Sequence, residues 1–182
     1  NTVGEITWQK SLGGSSLDIA RSIRQTADGG YIVAGNSRSL DGDVTGNNGE
    51  FDYWVVKLNS SGTIEWQKSY GGSSGESAYS IQQTEDGGYI VAGNSNSNNG
   101  DVSGNHGDWD YWIVKLNDTG NIQWQKSLGG SFIDVAYSIQ QSLEGGYIAV
   151  GFTGSNDGDV TGYHEGLDYW IVKLSPTGDL EW

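Results

Sequence analysis

Residues 66–72 read Trp66-Gln67-Lys68-Ser69-Tyr70-Gly71-Gly72, and this stretch decides the fold because it is not unique. The same Trp-Gln-Lys-Ser string starts at Trp8 and Trp124, and Trp182 stands one further step on, a period of 58 residues. Asp-Tyr-Trp starts at Asp52, Asp110 and Asp168, and Gly-Gly-Tyr-Ile at Gly29, Gly87 and Gly145, on the same period. Residues 8–65 and 66–123 agree at 39 of 58 positions without an insertion. A period of this kind marks a repeated supersecondary unit. Residues 1–182 therefore form one repeat domain with copies at 8–65, 66–123 and 124–181; residues 1–7 and 182 are parts of flanking copies.

The second copy carries four β-type runs separated by turn residues. They are Ala78–Thr84, Tyr89–Asn94, Asp110–Leu116 and Ile122–Lys126. Glu85-Asp86-Gly87-Gly88 makes a tight hairpin between the first two, with glycine supplying positive φ. A long polar loop, 95–108, joins the second and third, and Asn117-Asp118-Thr119-Gly120 turns into the fourth. No segment holds a capped 3.6-residue period, so helices should be scarce. Trp112, Val114 and Leu116 alternate with Tyr111, Ile113 and Lys115, which makes both faces of that strand largely apolar and predicts a sheet covered on both sides.

The expected architecture is an all-β propeller of 58-residue, four-stranded blades, three to the chain. Closed rings need at least four blades, so either a homodimer completes a six-bladed ring or the chain is cut from a longer array. The alternative is a β-trefoil, which closes on three repeats. Strand alternation places the long loops and the Gly-Gly connections on one rim, together with most of the 23 acidic residues.

Composition narrows the function classes. The chain of 182 residues has a formal charge of −14, no cysteine and no methionine. That charge argues against duplex nucleic acid and anionic lipid as partners. Absence of cysteine removes disulfides, thiolate metal sites and thiol nucleophiles. No apolar run approaches the ~20 residues of a membrane-spanning helix. The sequence opens at Asn1 with no signal peptide or initiator Met, which reads as a processed terminus.

The segment Lys57-Leu58-Asn59-Ser60-Ser61-Gly62-Thr63-Ile64-Glu65-Trp66-Gln67-Lys68 resembles the outer hairpin of quinoprotein-like and kelch-like propeller blades, in which a Trp docks one blade on the next. The whole unit, Trp-Gln-Lys, Asp-Gly-Gly-Tyr-Ile-Val-Ala-Gly, Asp-Tyr-Trp and Lys-Leu, looks like the repeats of secreted surface proteins of Bacteroidetes-type bacteria. The resemblance covers all three copies. It implies a secreted or cell-surface propeller array and no defined catalytic activity. Nothing matches the residues that would hold a quinone, so that chemistry does not transfer.

The long loop carries the strongest chemical pattern. Asp41, Asp43, Thr45, Asn47 and Asp52 fall at positions one, three, five, seven and twelve of the calcium-loop template D-x-[DN]-x-[DN]-G-x₅-E, with Gly46 at six. Asn99, Asp101, Ser103, Asn105 and Asp110 repeat the pattern, as do Asp157, Asp159, Thr161 and Asp168. Six to eight hard oxygens at ~2.3–2.6 Å suit Ca²⁺. Position five is a hydroxyl residue, position twelve is the shorter Asp, and no helices flank the loop, so this is not an EF-hand. Neutral Asn99 makes the second copy the weakest. The competing reading is that these residues cap their own turns.

Asp18, Glu76 and Asp134 recur five residues after the first glycine of each Gly-Gly pair, as further oxygen donors or as caps of the first strand. His106 and His164 stand where the first copy has Asn48. Phe51 and Trp109 precede the last Asp of their loops, positioned either to stack on a sugar ring or to fold back onto the sheet. No Gly-x-Ser-x-Gly elbow or nucleophile–base pair occurs. Acids repeated in every copy point to repeated binding rather than catalysis. The expectation is a non-enzymatic, calcium-binding adhesion module that recognises a glycan or a cell-surface protein, with a purely structural array as the alternative and a glycan-active enzyme as the weakest.

Overall fold

The computed structural model describes residues 3–182; Asn1 and Thr2, of the leading partial copy, lie outside the described residues. Eleven antiparallel strands form three sheets, and the described residues contain no helix. The first sheet holds β1 (Asp18–Gln25), β2 (Tyr31–Ser37), β3 (Asp52–Leu58) and β4 (Ile64–Tyr70) in sequential order. The second holds β5 (Glu76–Gln83), β6 (Tyr89–Ser95), β7 (Asp110–Leu116) and β8 (Ile122–Leu128), and the third holds β9 (Asp134–Gln141), β10 (Tyr147–Thr153) and β11 (Asp168–Leu174). A fourth strand of the third sheet is represented only by the Leu174–Leu180 bridge.

Each sheet is a meander of consecutive strands, and β4 and β8 run from the last two residues of one copy into the next, so each complete sheet takes most of its fourth strand from the following copy. Between sheets the backbone contacts are few: the isolated Phe51–Gly75 bridge at the first junction, and the Asp134 amide donating to the Trp109 carbonyl at 2.5 Å at the second. A trefoil shares its strands in a common barrel, and this arrangement does not. No sheet covers the outer face of the first, which meets only the leading segment through Leu12, or that of the third, where Tyr169 and Ile171 are exposed, so the described residues make no closed ring. The first strands of neighbouring sheets meet directly: Tyr79 and Tyr137 pack edge to face at 5.2 Å, and the Ile81 and Ile139 amides donate to Ser22 Oγ and Ser80 Oγ at 3.3 Å.

The sequence dictates the turns. Gly87, at φ +82°, makes the bend after β5 that a side chain would strain. Asp86 in that turn accepts from the Lys115 ammonium at 2.8 Å and from the Gly88 amide at 3.1 Å. Lys115 is buried and needs that partner, since an uncompensated buried charge is costly. Lys57 makes the same pair with Asp28 and adds Glu65 at 2.7 Å.

Two apolar layers separate the sheets. Trp112, Val114 and Leu116 pack toward the first sheet against Tyr53 and Val55, while Tyr111 and Ile113 pack toward the third against Trp170 and Val172. The alternating faces of β7 are thus both covered, as its sequence requires. Tyr53 stacks on Trp112 with ring centroids at 4.6 Å and donates its hydroxyl to the Trp112 carbonyl at 2.8 Å. Tyr111 repeats this on Trp170 at 4.6 and 2.9 Å. Each such aromatic pair adds ~0.5–1.5 kcal/mol beyond its buried area. On the outer side, Trp66 meets Tyr89 at 5.8 Å and Trp124 meets Tyr147 at 5.6 Å, each holding its own sheet to the next. Trp8 does the same to Tyr31 at 5.8 Å, so the segment around it lies where a preceding sheet's last strand would run.

Candidate functional site

The long loops fold back onto the Gly-Gly connections, and the first and third template positions have definite partners there. Asp41 accepts from the Ser15 amide at 2.7 Å, and Asp43 from the Gly13 amide at 3.1 Å. Asn99 and Asp101 do the same for Ser73 and Gly71, at 2.8 and 3.2 Å. Asp157 and Asp159 serve Ser131 and Gly129, at 2.7 and 3.2 Å. The role of the first position is now clear. It must offer one oxygen to a backbone N–H, which the amide of Asn99 does as well as the carboxylates of Asp41 and Asp157.

The other loop positions are likewise engaged. Thr45 Oγ1 accepts from Gln67 Nε2 at 2.5 Å, and Ser103 Oγ from Gln125 Nε2 at 2.6 Å. These glutamines also accept from the indole N–H groups of Trp54 and Trp112 at 2.8 Å, tying loop to sheet. Thr161, in the copy without a complete fourth strand, is exposed. Asn47 and Asn105 turn their amide nitrogens to the carbonyls of Ser37 and Ser95 at 2.8 and 3.0 Å. Asp52, Asp110 and Asp168 each accept, through Oδ2, from the backbone amides of Asn48, His106 and His164 at 2.8, 2.7 and 2.8 Å. Positions one, three, five, seven and twelve therefore face different partners, and the structure does not bring them together around one point inside the loop.

What the structure brings together lies one step away, between sheets. A Cβ added to Gly71 would collide with Glu76 Oε2 and stand 2.6 Å from Asp52 Oδ1. Asp52 opens β3 of the first sheet and Glu76 opens β5 of the second. Both are fully buried. Glu76 is satisfied, accepting from the Gly72 amide at 2.9 Å and Ser95 Oγ at 2.7 Å. Asp52 Oδ1 has no hydrogen-bond partner. Asp101 joins them from the long loop, close enough for its charge to act on Asp52. The next junction repeats the arrangement with Gly129: its Cβ would collide with Asp134 Oδ2 and lie 2.8 Å from Asp110 Oδ1. Here Asp110 Oδ1 and Asp134 Oδ1 are both buried without a partner. His106 sits across this junction, its Nδ1 2.9 Å from Asp110 and its Nε2 3.9 Å from Asp159.

The electrostatics follow from this crowding. Burial pushes the Asp52 carboxyl up to about 7, with the Glu76 and Asp101 charges adding to the rise against the Asn48 amide. Burial pushes Asp110 to about 6, opposed by the His106 amide and ring, and raises Glu76 as well. Asp168 is the control. It has the same loop contacts but no following sheet over it, and the His164 amide holds it below the ordinary range. The neighbouring sheet, not the loop, creates the upward shift.

A buried carboxylate oxygen with no donor is expensive, and the charges of Glu76 and Asp134 act on Asp52 and Asp110 to raise the cost further. Either a proton or a cation relieves both costs. The donor set is all hard oxygen apart from His106, which suits Ca²⁺ or Mg²⁺ over thiophilic metals. Among the described residues no group of three or more acidic or histidine side chains is arranged to hold a metal ion; each junction offers a buried pair, Asp52 with Glu76 and Asp110 with Asp134. The sequence located every one of these residues, but the loop template grouped them within a copy. The acid that recurs five residues after the first glycine of each Gly-Gly pair, read in the sequence as a further oxygen donor or a strand cap, puts Glu76 and Asp134 opposite the Asp of the preceding copy.

The aromatic loop residues lie half-buried. Phe51 lies under the Arg38 guanidinium, 5.8 Å from its centroid, and Trp109 reaches within 3.0 Å of a Cβ placed on Gly75. His164 is largely exposed, its Nδ1 3.2 Å from Asp168. Among the described residues no helix is long and apolar enough to cross a membrane. No family model and no curated protein matches the chain.

Proposed function

We propose that this chain is a non-enzymatic scaffold built from propeller-type blades, in which calcium cross-links neighbouring blades on the acidic rim. The observation that carries this reading is the orphaned carboxylate oxygen at each complete junction, Asp52 Oδ1 and Asp110 Oδ1, facing a second buried acid. When bound, the ion supplies charge neutralisation and shared coordination between two sheets. The chain's own residues do the rest: the Gly-Gly turns let the carboxylates approach, and the loop carboxylates hold those turns in place.

A module of this kind belongs at a cell surface or in a secreted assembly, where calcium is abundant, with a glycan or surface protein as partner. Repetition of the same acids in successive copies supports binding and assembly rather than turnover. The rim's half-buried Phe51 and Trp109 offer apolar edges beside polar loops, the chemistry that stacks on sugar rings.

Thermal unfolding in calcium against chelator tests the cation. A ligand bound only by the native state stabilises by about 2.7 kcal/mol at one hundred times its Kd. For a chain of this size that raises Tm by about 5 °C or more per site. An unchanged Tm at millimolar calcium leaves the purely structural array as the reading.

A further inference from the structure

The interface between sheets occurs twice within the described residues, and each of its two faces is also present once without a sheet against it, the first sheet's meeting only the leading segment through Leu12. On the covering side, Tyr53 and Tyr111 are fully buried and place their hydroxyls over a strand glycine of the next sheet, 2.6 and 2.7 Å from where a Cβ on Gly93 or Gly151 would stand. The third copy presents the same face to solvent: Tyr169 is 95 % exposed, Tyr137 52 % and Ile171 50 %. On the receiving side, the first sheet carries the counterpart of the Trp112 and Trp170 faces. Its Gly35 meets only the backbone of Ile19 and Ala20, with no tyrosine hydroxyl above it. A groove of about 550 Å³ opens there, walled by Trp54, Val33, Gly35, Ile23 and Leu12.

We propose that a second copy of this chain fills that groove, the third sheet of one copy packing on the first sheet of the other. The occupant is identified by continuity with the internal interface. The exposed Tyr169–Ile171 face is the same chemistry that Tyr53–Val55 and Tyr111–Ile113 already bury against a Trp-bearing sheet. Tyr169 then stacks on Trp54 of the second copy and donates to its carbonyl, as Tyr53 does to Trp112.

The leading segment fixes the register. In the complete sheets, Tyr53 to Val56 pair with Tyr70 to Gln67, and Tyr111 to Val114 with Leu128 to Gln125. By the same spacing, Leu12 to Gln9 of the second copy stand opposite Tyr169 to Val172 and supply the outer strand that the third sheet lacks. Trp8 of that copy takes the level now held by Trp182, whose carbonyl accepts from the Lys173 amide. Gln9 then meets the Trp170 indole and Thr161, as Gln67 meets Trp54 and Thr45. Two copies joined at both ends form a ring of six sheets with no free face. This inference is independent of the cation reading, since it rests on the apolar faces alone.

Sedimentation velocity of the whole chain at micromolar concentration, in calcium and in chelator, tests it. The expected mass is twice the 19.5 kDa chain in both. Tyr169→Asp with Ile171→Lys on one face, and separately Ile23→Asp on the other, should each shift the species to the single-chain mass. The side chains replaced are half or more exposed, so far-UV circular dichroism should stay unchanged. A wild-type monomer overturns the proposal, as does a dimer that these substitutions leave intact. Masses that climb with concentration overturn the closed ring by indicating an open head-to-tail chain.

Discussion

Asp52 and Glu76 come from different repeats yet close on one glycine, Gly71, leaving no room there for even a methyl group. Asp52 Oδ1 is buried at that contact without a donor. A carboxylate held so has a pH-dependent cost, and its sign can be worked out. Asp52 titrates near 7 and Asp110 near 6 in the folded chain, against about 3.9 for an unfolded aspartate. Between these values the native state binds more protons than the unfolded one, so stability falls as pH rises.

In chelator, Tm should therefore be higher at pH 5 than at pH 8. Below pH 4 the trend reverses, because Asp86 sits near 2, held down by Lys115 and Thr84 against its burial, and loses that stabilisation on protonation. A calorimetric pH series in chelator checks both limbs. A flat profile from pH 5 to 8 would mean the junction carboxylates are solvated.

Asp52→Asn and Asp110→Asn keep the shape and remove the charge. In chelator at pH 8 each should stabilise the chain, by about 1–3 kcal/mol, the scale of an unpaired buried polar group. In calcium the same variants should lose the ion's stabilisation. Paired melts with and without calcium read the crossover directly.

Gly93→Ala should be among the most damaging single substitutions. Its Cβ would collide with the Ser77 carbonyl and stand 2.6 Å from the Tyr53 hydroxyl. Overpacking of this kind typically costs ~1–3 kcal/mol, and here it strikes both the β5–β6 pairing and the sheet interface. Gly46→Ala, at a site with nothing within 4 Å, tests the alternative that only backbone conformation matters, since it keeps the φ +81° strain without a collision. The denaturation midpoint of Gly93→Ala should fall further.

Gln125→Ala separates loop anchoring from sheet packing. The residue accepts from Trp112 Nε1 and donates to Ser103 Oγ, at 2.8 and 2.6 Å. Removing it should cost about 1–2 kcal/mol and raise amide exchange of residues 101–107, while β5 to β7 stay protected.

The strands and turns were legible because each repeat obeys local rules: alternation in Asp110–Leu116, Gly87 in its hairpin, and a Trp on each outer strand. The start of β5 at Glu76 was less so. Its first residues, Glu76 and Ser77, have little strand propensity, and what holds them there is pairing with Ser95 and Asn94. The candidate site was legible in its members but not in its grouping. Template spacing assumes ligands converge within one loop, whereas Asp41, Asp43 and Asn99 turn toward the backbone of the Gly-Gly connection, and Asp52 meets Glu76 only when two copies pack. Contacts between copies have no local signature beyond the period itself.

The direct test of the cation-bridged junction is equilibrium calcium binding by titration calorimetry at pH 7.5. The account predicts saturable binding, with Asp52→Asn abolishing one equivalent per chain, Asp110→Asn another, and Asp41→Asn, whose oxygen serves only the Ser15 amide, abolishing none. Binding that survives both junction variants and disappears with Asp41→Asn would contradict it.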